Sequence, residues 1–339
     1  MTLVKLTNVC QRYPVGKKDF FGKSTQTLHA VKDVSLTIDE AETVAVVGES
    51  GCGKSTLGRI VSLLESPKDG ELEIAGVDPR TLSKNELKEL RKKLGLVFQD
   101  PFSALNPRMP ISQLVAEPLE VYNIGTQAQR QAKVLECLKA VGLSEDALDR
   151  YPHEFSGGQR QRICIARALV LDPKLIIADE PLSALDVSVQ SQILNLFTEL
   201  KQTRNLSFFF ISHDMAVVDY LADTIVVMYL GQVVESAPRT EFFTNPAHPY
   251  SRALLNAVPE VGTGRRKKGL ALQGDVPSPI NPPAGCPFNP RCSKATDLCR
   301  TEKPASAPVS ESNSHTVSCH FPEVAAHTEV TVDREVVTQ

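Results

Sequence analysis

The sequence predicts an α/β fold, on three observations. Over the first 245 of 339 residues, short apolar runs alternate with amphipathic stretches, the order that lays helices over a sheet. The apolar run Val44–Val47 feeds a glycine-rich turn, and the spacing places a helix behind it from Lys54 to about Leu64. A second run, Leu175–Ala178, reads as a buried parallel strand and ends on two acids, Asp179 and Glu180.

The remaining elements follow in order. Ser83-Lys-Asn-Glu86 is a capping box that opens a charged helix ending near Leu94, because a hydroxyl at the cap and a carboxylate three positions on satisfy each other's backbone amides. Leu96–Phe98 is strand-like and stops at Gln99. Thr126-Gln-Ala-Gln129 opens another helix, with Val134, Leu138 and Val141 on one face and Gly142 at its end. Ser156 caps a helix over Gln159–Leu171. Asp186 caps one whose core face is Val189, Ile193, Leu196 and Leu200. Ser207–Ile211 is a buried strand that stops before Ser212-His213-Asp214. Beyond about residue 245 the composition changes: 12 of the 23 prolines and four of the eight cysteines lie in residues 246–339. Proline at that density excludes long helices and central strands. Residues 246–322 therefore read as a loop-rich appendage, and 323–339 as a disordered tail.

Charge narrows the function classes. The net charge is −3, and the longest basic run, Arg265-Arg266-Lys267-Lys268, is too short for a nucleic-acid surface and reads as a solvated linker. No apolar run approaches the roughly 18 residues that span a bilayer. The N-terminus lacks the basic-then-apolar order of a secretion signal. The sequence thus places the chain in the cytosol, with no direct membrane insertion, and any membrane association comes through a partner.

Three stretches carry chemistry. Gly48-Glu49-Ser50-Gly51-Cys52-Gly53-Lys54-Ser55 satisfies G-x-x-x-x-G-K-[ST], with Thr56 next. Glycines let backbone amides turn inward around phosphates, Lys54 reaches the β- and γ-phosphates, and the Ser55 hydroxyl ligates Mg²⁺. The helix N-terminus adds its partial positive charge. Cys52 is most simply a small loop residue. At the second stretch, Asp179 can join the Mg²⁺ shell and Glu180 can orient or deprotonate a water. The third stretch is Ser156-Gly157-Gly158-Gln159. It combines a good helix cap with two glycines that allow close backbone approach, and so presents a second helix N-terminus suited to a γ-phosphate. The chain's own phosphate loop already supplies one such terminus, so the second is best used on the nucleotide of a facing subunit.

In this order, the motifs resemble the nucleotide-binding subunit of an ATP-binding cassette (ABC) transporter over residues 3–245. The resemblance implies a P-loop ATPase domain with a helical subdomain at about 100–156 and a small C-terminal domain. It also implies MgATP hydrolysis and two subunits that sandwich two ATPs. It assigns Tyr13 to adenine stacking, although an insertion over 16–27 separates Tyr13 from the core. Gln99 is assigned to Mg²⁺ and water, Ser156–Gln159 to the signature (Phe155 replacing the more frequent leucine), Asp186 to the segment crossing the dimer interface, and His213 to the γ-phosphate. Gln99-Asp-Pro-Phe-Ser-Ala-Leu-Asn-Pro-Arg108 and Asn245-Pro-Ala-His248-Pro249-Tyr250 are similar to the dipeptide and oligopeptide importer branch. That branch pairs two different ATPase subunits beneath two permeases and a peptide-binding protein, on the cytoplasmic face of the membrane. Nickel, heme and antimicrobial peptides are its other cargoes, and a soluble non-transport ABC ATPase is the remaining alternative.

Cys286, Cys292, Cys299 and Cys319 are separated by five, six and nineteen residues. In a cytosolic chain disulfides are disfavoured, and four thiols in a segment without a core suggest a metal that supplies folding energy. The spacing does not match paired C-x₂₋₄-C zinc sites. It is easier to reconcile with a [4Fe–4S] cluster, which family members with such cysteines are associated with. Zinc, recruiting His315 or His320, and free thiols are the alternatives. Cys10, Cys137 and Cys164 read as buried small residues.

Overall fold

A computed structural model describes residues 1–18, 24–257, 274–309 and 313–323. The basic run at 265–268 and all of the predicted tail except Glu323 lie outside the described residues. The chain opens with two long antiparallel strands, β1 (Thr2–Lys18) and β2 (Ser24–Asp39). Most of the predicted insertion is therefore the outer part of a two-stranded ribbon. Next come β3 (Thr43–Val47), α1 (Lys54–Val61), β4 (Asp69–Ile74), α2 (Lys84–Arg91) and β5 (Leu94–Val97). Four helices follow: α3 (Pro101–Ala104), α4 (Ile111–Val121), α5 (Gln127–Ala140) and α6 (Gly157–Leu169). Then come β6 (Leu175–Asp179), α7 (Val187–Arg204), β7 (Ser207–Ile211), α8 (Met215–Leu221), β8 (Thr224–Tyr229) and β9 (Gln232–Pro238). The C-terminal part adds α9 (Arg239–Thr244), α10 (Pro249–Asn256), α11 (Asp297–Thr301), β10 (Ala307–Pro308) and β11 (Thr316–Val317).

Two sheets result. A small antiparallel sheet runs β2-β1-β4, and the main sheet runs β10-β11-β9-β8-β3-β7-β6-β5. In the main sheet β5, β6, β7, β3 and β8 are parallel, whereas β9, β11 and β10 are antiparallel. The inner parallel strands β8, β3, β7 and β6 are buried on both faces, which explains runs such as Phe208-Phe209-Phe210, each at most 1% exposed. Fully burying such a ring stabilises the fold by roughly 1.5–3 kcal/mol. Phe197 of α7 meets Phe208 and Phe210 edge-on, with centroids 5.5 and 6.0 Å away. α3 through α7 share a second apolar core with the outer face of β5–β7.

Two helices stop sooner than the sequence suggests. α1 ends at Val61, and Leu63 takes a left-handed φ of 58°. α2 ends at Arg91, because Leu94 pairs with Leu175 as the edge of the main sheet. That pairing is non-local, so no local pattern announces it. Ile193, Leu196 and Leu200 of the predicted α7 face are buried and Val189 is partly so, while Asp186 makes no side-chain cap bond.

The C-terminal residues correct the expectation of a segment without a core. Cys286, Phe288 and Cys299 are buried in one cluster with Tyr229, Phe242 and Tyr250. β11 pairs with β9 through Thr316–Ser236 and Val317–Glu235. Cys10 is also only half-buried, its thiol 3.4 Å from Asp33 Oδ1, whereas Cys137 and Cys164 are buried as expected and burial pushes each thiol up to about 11.

Candidate active site

The site forms at the carboxyl ends of β3, β6 and β7, where an open parallel sheet leaves a crevice. The phosphate loop leaves β3 at Gly48, whose φ of 148° and the Met228 carbonyl 2.2 Å from a would-be Cβ admit only glycine. Gly53 precedes α1 with φ 104° and gives no side-chain cap, so the first amides of α1 are left for an anion. The buried Lys54 ammonium donates to the carbonyls of Gly48 at 2.8 Å and Glu49 at 3.0 Å, which ties the loop into a ring. Burial pushes the Cys52 thiol up, opposed by Lys54, and its sulfur packs under Gly48. That environment suits a small packing residue.

Ser55 and Asp179 meet across the loop, the hydroxyl donating to Asp179 Oδ1 at 3.1 Å. Burial raises the Asp179 carboxyl, and the neighbouring Glu180 adds to the rise, against the lowering by Ser55 and Lys54. A carboxylate so placed gains from a nearby cation, so Ser55 and Asp179 are fit to hold Mg²⁺. Glu180 is the next convergence point. Its Oε2 accepts from Gln99 Nε2 at 3.2 Å and lies 3.4 Å from His213 Nδ1. His213 is 62% exposed, so it can reach a ligand as well as Glu180.

Tyr13 lies on β1, and its hydroxyl donates to Glu65 just beyond α1. Burial raises this phenol, Glu65 adds to the rise, and the hydroxyl of Thr56 opposes it. The ring is thus anchored beside α1. Neither Glu65 nor this anchor was foreseen from sequence.

The signature residues are built as predicted but are not part of this constellation. Ser156 caps α6 with a closed capping box, Gln159 N–H donating to the Ser156 hydroxyl at 3.4 Å and Ser156 N–H to Gln159 Oε1 at 3.0 Å. Gly158 is buried under α7, where a Cβ would come 2.3 Å from Val189 Cγ1. Ser156, Gln159 and Asp186 are exposed. Phe102 of α3 is 53% exposed with the Arg160 guanidinium 4.3 Å over its ring. Leu105, three positions further on, is 3% exposed and belongs to the helical core.

Cys286, Cys292, Cys299 and Cys319 line one cavity of about 20 Å³ with His248, Phe288, His320 and Phe321. Burial pushes Cys286 up to about 11, and it raises Cys292 and Cys319 as well, with the thiols beside each adding to the rise. His248 is fully buried. Its Nδ1 accepts from Tyr250 N–H at 3.0 Å, and its Nε2 has no partner. Four thiols and an orphaned imidazole nitrogen around one void are donor chemistry suited to a thiolate-held metal group. As placed, however, no set of three or more His, Cys, Asp or Glu among the described residues is arranged for a single metal ion, and the void holds about one water. His315 is committed elsewhere, to Glu235 at 2.8 Å and Glu241 at 3.3 Å. His320 contacts the Glu302 carbonyl at 2.9 Å.

Fold and site together define a P-loop nucleoside triphosphatase. Residues 31–183 match the ABC transporter family, and residues 234–299 match the oligopeptide/dipeptide transporter C-terminal region. A probable peptide ABC transporter ATP-binding protein of Sinorhizobium fredii is 47% identical over 96% of this chain and 92% of its own length. The dipeptide transport ATP-binding protein DppF of Haemophilus influenzae is 50% identical over 86% of this chain and 89% of its own. Among solved structures, the ATP-binding cassette MJ0796, a dimer bound to ADP and Pi, superposes with a TM-score of 0.62. It is 33% identical and covers 70% of this chain and 99% of its own. The chain belongs to the ABC transporter ATP-binding proteins and is an ABC ATPase.

Proposed function

We propose that the chain powers import of dipeptides or oligopeptides through a membrane permease. The match of residues 234–299 to the oligopeptide/dipeptide transporter C-terminal region carries the cargo class, and the peptide-transport names of its relatives support it. Residues 1–245 then form the ABC ATPase domain, with a helical subdomain over about 100–156, and 246–322 the proline- and cysteine-rich C-terminal domain. Two permease subunits and a substrate-binding protein complete the assembly, with the ATPases at the cytoplasmic face as peripheral proteins. Among the described residues no helix is long and apolar enough to cross a membrane.

In hydrolysis, Gly48–Thr56 and Tyr13 bind ATP, with Lys54 facing the β- and γ-phosphates. Ser55, Asp179 and Gln99 would hold Mg²⁺, which supplies charge neutralisation on the phosphates. Glu180 takes the proton as water oxygen attacks the γ-phosphorus and the bond to the β–γ bridging oxygen breaks. Gln99 and His213 hold the Glu180 carboxylate in place. Ser156–Gln159 and Asp186 serve the ATP of the facing subunit, which in this branch is a second, different ATPase. ATP-dependent uptake of a labelled dipeptide by reconstituted vesicles loaded with ATP tests the reading. Uptake that does not depend on this chain overturns it.

The four C-terminal cysteines we assign to a [4Fe–4S] cluster, with zinc as the alternative; the gathering of all four thiols around one cavity supports the reading. Anaerobically purified chain is expected to be brown, with iron and acid-labile sulfide that are lost in Cys292→Ser. Colourless protein with one zinc per chain assigns the site to zinc.

A further inference from the structure

The stretch between Cys286 and Cys292 reaches the nucleotide loop directly. Asn289–Arg291 is a short 3₁₀ turn, braced by Asn289 Nδ2 donating to the carbonyls of Ala284 and Cys286, both at 2.8 Å. Phe288, 2% exposed, anchors it on Tyr229 and Tyr250, with ring centroids 5.2 and 5.4 Å away. From this base Arg291 meets Glu49, the second residue of the phosphate loop, 242 positions earlier in the chain. Its guanidinium donates to Glu49 Oε2 at 2.5 Å and to Oε1 at 3.0 Å. This is the two-point fork in which arginine excels over lysine. The arginine side chain is 5% exposed and the glutamate 26%. The other polar groups of Glu49 are also held. Its amide donates to the Tyr250 hydroxyl at 2.8 Å, and its carbonyl accepts from Lys54.

A buried ion pair adds little net stability once desolvation is counted, and its best-attested use is to select one arrangement of the chain. The arrangement selected here is that of the loop that must present its amides to phosphate. We propose that Arg291 is a positioning residue for ATP, supplied by the C-terminal segment, that holds the entry of the phosphate loop ready for nucleotide through Glu49. By reciprocity of coupled sites, bound ATP in turn steadies the Cys286–Cys292 stretch. This rests on the ATP site described above and extends it, because it gives the cysteine-bearing segment a part in nucleotide affinity.

The test uses the full-length chain. MgATP affinity is read by fluorescent-nucleotide titration, and KM and kcat are read in the reconstituted transporter. Arg291→Ala is expected to raise Kd and KM about tenfold. It should leave kcat within about twofold, because the clamp acts alike on ground and transition states. Glu49→Gln, which keeps the shape of the side chain and leaves Arg291 in place, should raise KM in the same direction and covers the case in which Arg291→Ala does not fold. ATP should slow cleavage within residues 274–309 by a nonspecific protease in the parent chain and fail to do so in Glu49→Gln. Unchanged KM in the folded variants, or no ATP-dependent protection of the parent chain, overturns the proposal. A parent chain that binds no ATP would instead sink the assignment of the site itself.

Discussion

Glu180 concentrates the site's chemistry in one residue. Its φ of 45° is left-handed, which costs a non-glycine residue roughly 1–2 kcal/mol. Its amide is held to the Ile211 carbonyl at 3.0 Å. The turn swings the carboxylate off the end of β6, away from Asp179, toward Gln99 and His213. Two adjacent acids thus acquire separate tasks from one backbone torsion. Their adjacency was legible in the sequence, as were Lys54, Ser55 and His213. The torsion was not, because the β6–β7 pairing imposes it. Glu180→Gln should lower kcat by about a hundredfold or more while MgATP affinity stays near that of the parent chain. Steady-state hydrolysis and nucleotide titration check it, and near-normal hydrolysis would pass the role of base to another group.

Among the elements, the most legible were those with local signals. The capping box expected at Ser83 closes, and the helix starts expected at Thr126 and Ser156 turn out to be capping boxes as well. β1 and β2 escaped because their register shifts repeatedly along the ribbon, which breaks the two-residue alternation that marks a strand. β9 carries a polar residue that only its neighbours explain. Glu235 is inside the protein and accepts from the amides of Ala247 at 2.7 Å and His248 at 2.8 Å, with His315 Nε2 at 2.8 Å. Burial pushes its carboxyl up, but these partners outweigh it and hold it below its ordinary value of 4.5. The unfolded chain therefore takes up this proton more readily than the folded one. Stability from this latch is complete above about pH 4.5 and is lost as pH falls through the lowered folded value. Glu235→Gln should cost roughly 1.5–3 kcal/mol at neutral pH and flatten the acid slope in denaturant unfolding. An unchanged slope would assign acid sensitivity to other carboxylates.

At the scale of the molecule, nucleotide chemistry and the exposed helical face are joined through Gln99. It lies two residues beyond β5, touches Glu180 and leads through Asp100 into α3 with its exposed Phe102. Phe102→Ala should lower peptide uptake several-fold while MgATP affinity and basal hydrolysis stay within about twofold, as read in vesicles and in solution. Loss of ATP binding first would place Phe102 in the ATPase core instead. Leu105 cannot serve in this test, since its removal opens a cavity costing about 2–5 kcal/mol. The motif series made the catalytic part legible, because each motif is local. The contact between Arg291 and Glu49 was not, since a lone arginine among prolines and cysteines carries no local sign of a partner so distant in sequence.

β11 also sets a timetable for synthesis. It is the strand that covers β9, and it lies at residues 316–317. While the chain is being made, the open backbone groups of β9 remain available to any passing strand until β11 itself has emerged. The outermost strand, β10, ends the sheet with two residues, one of them Pro308, which offers no amide to a further strand. Fragments that stop short of β11 should therefore aggregate through β9, whereas the finished chain presents a blunted edge.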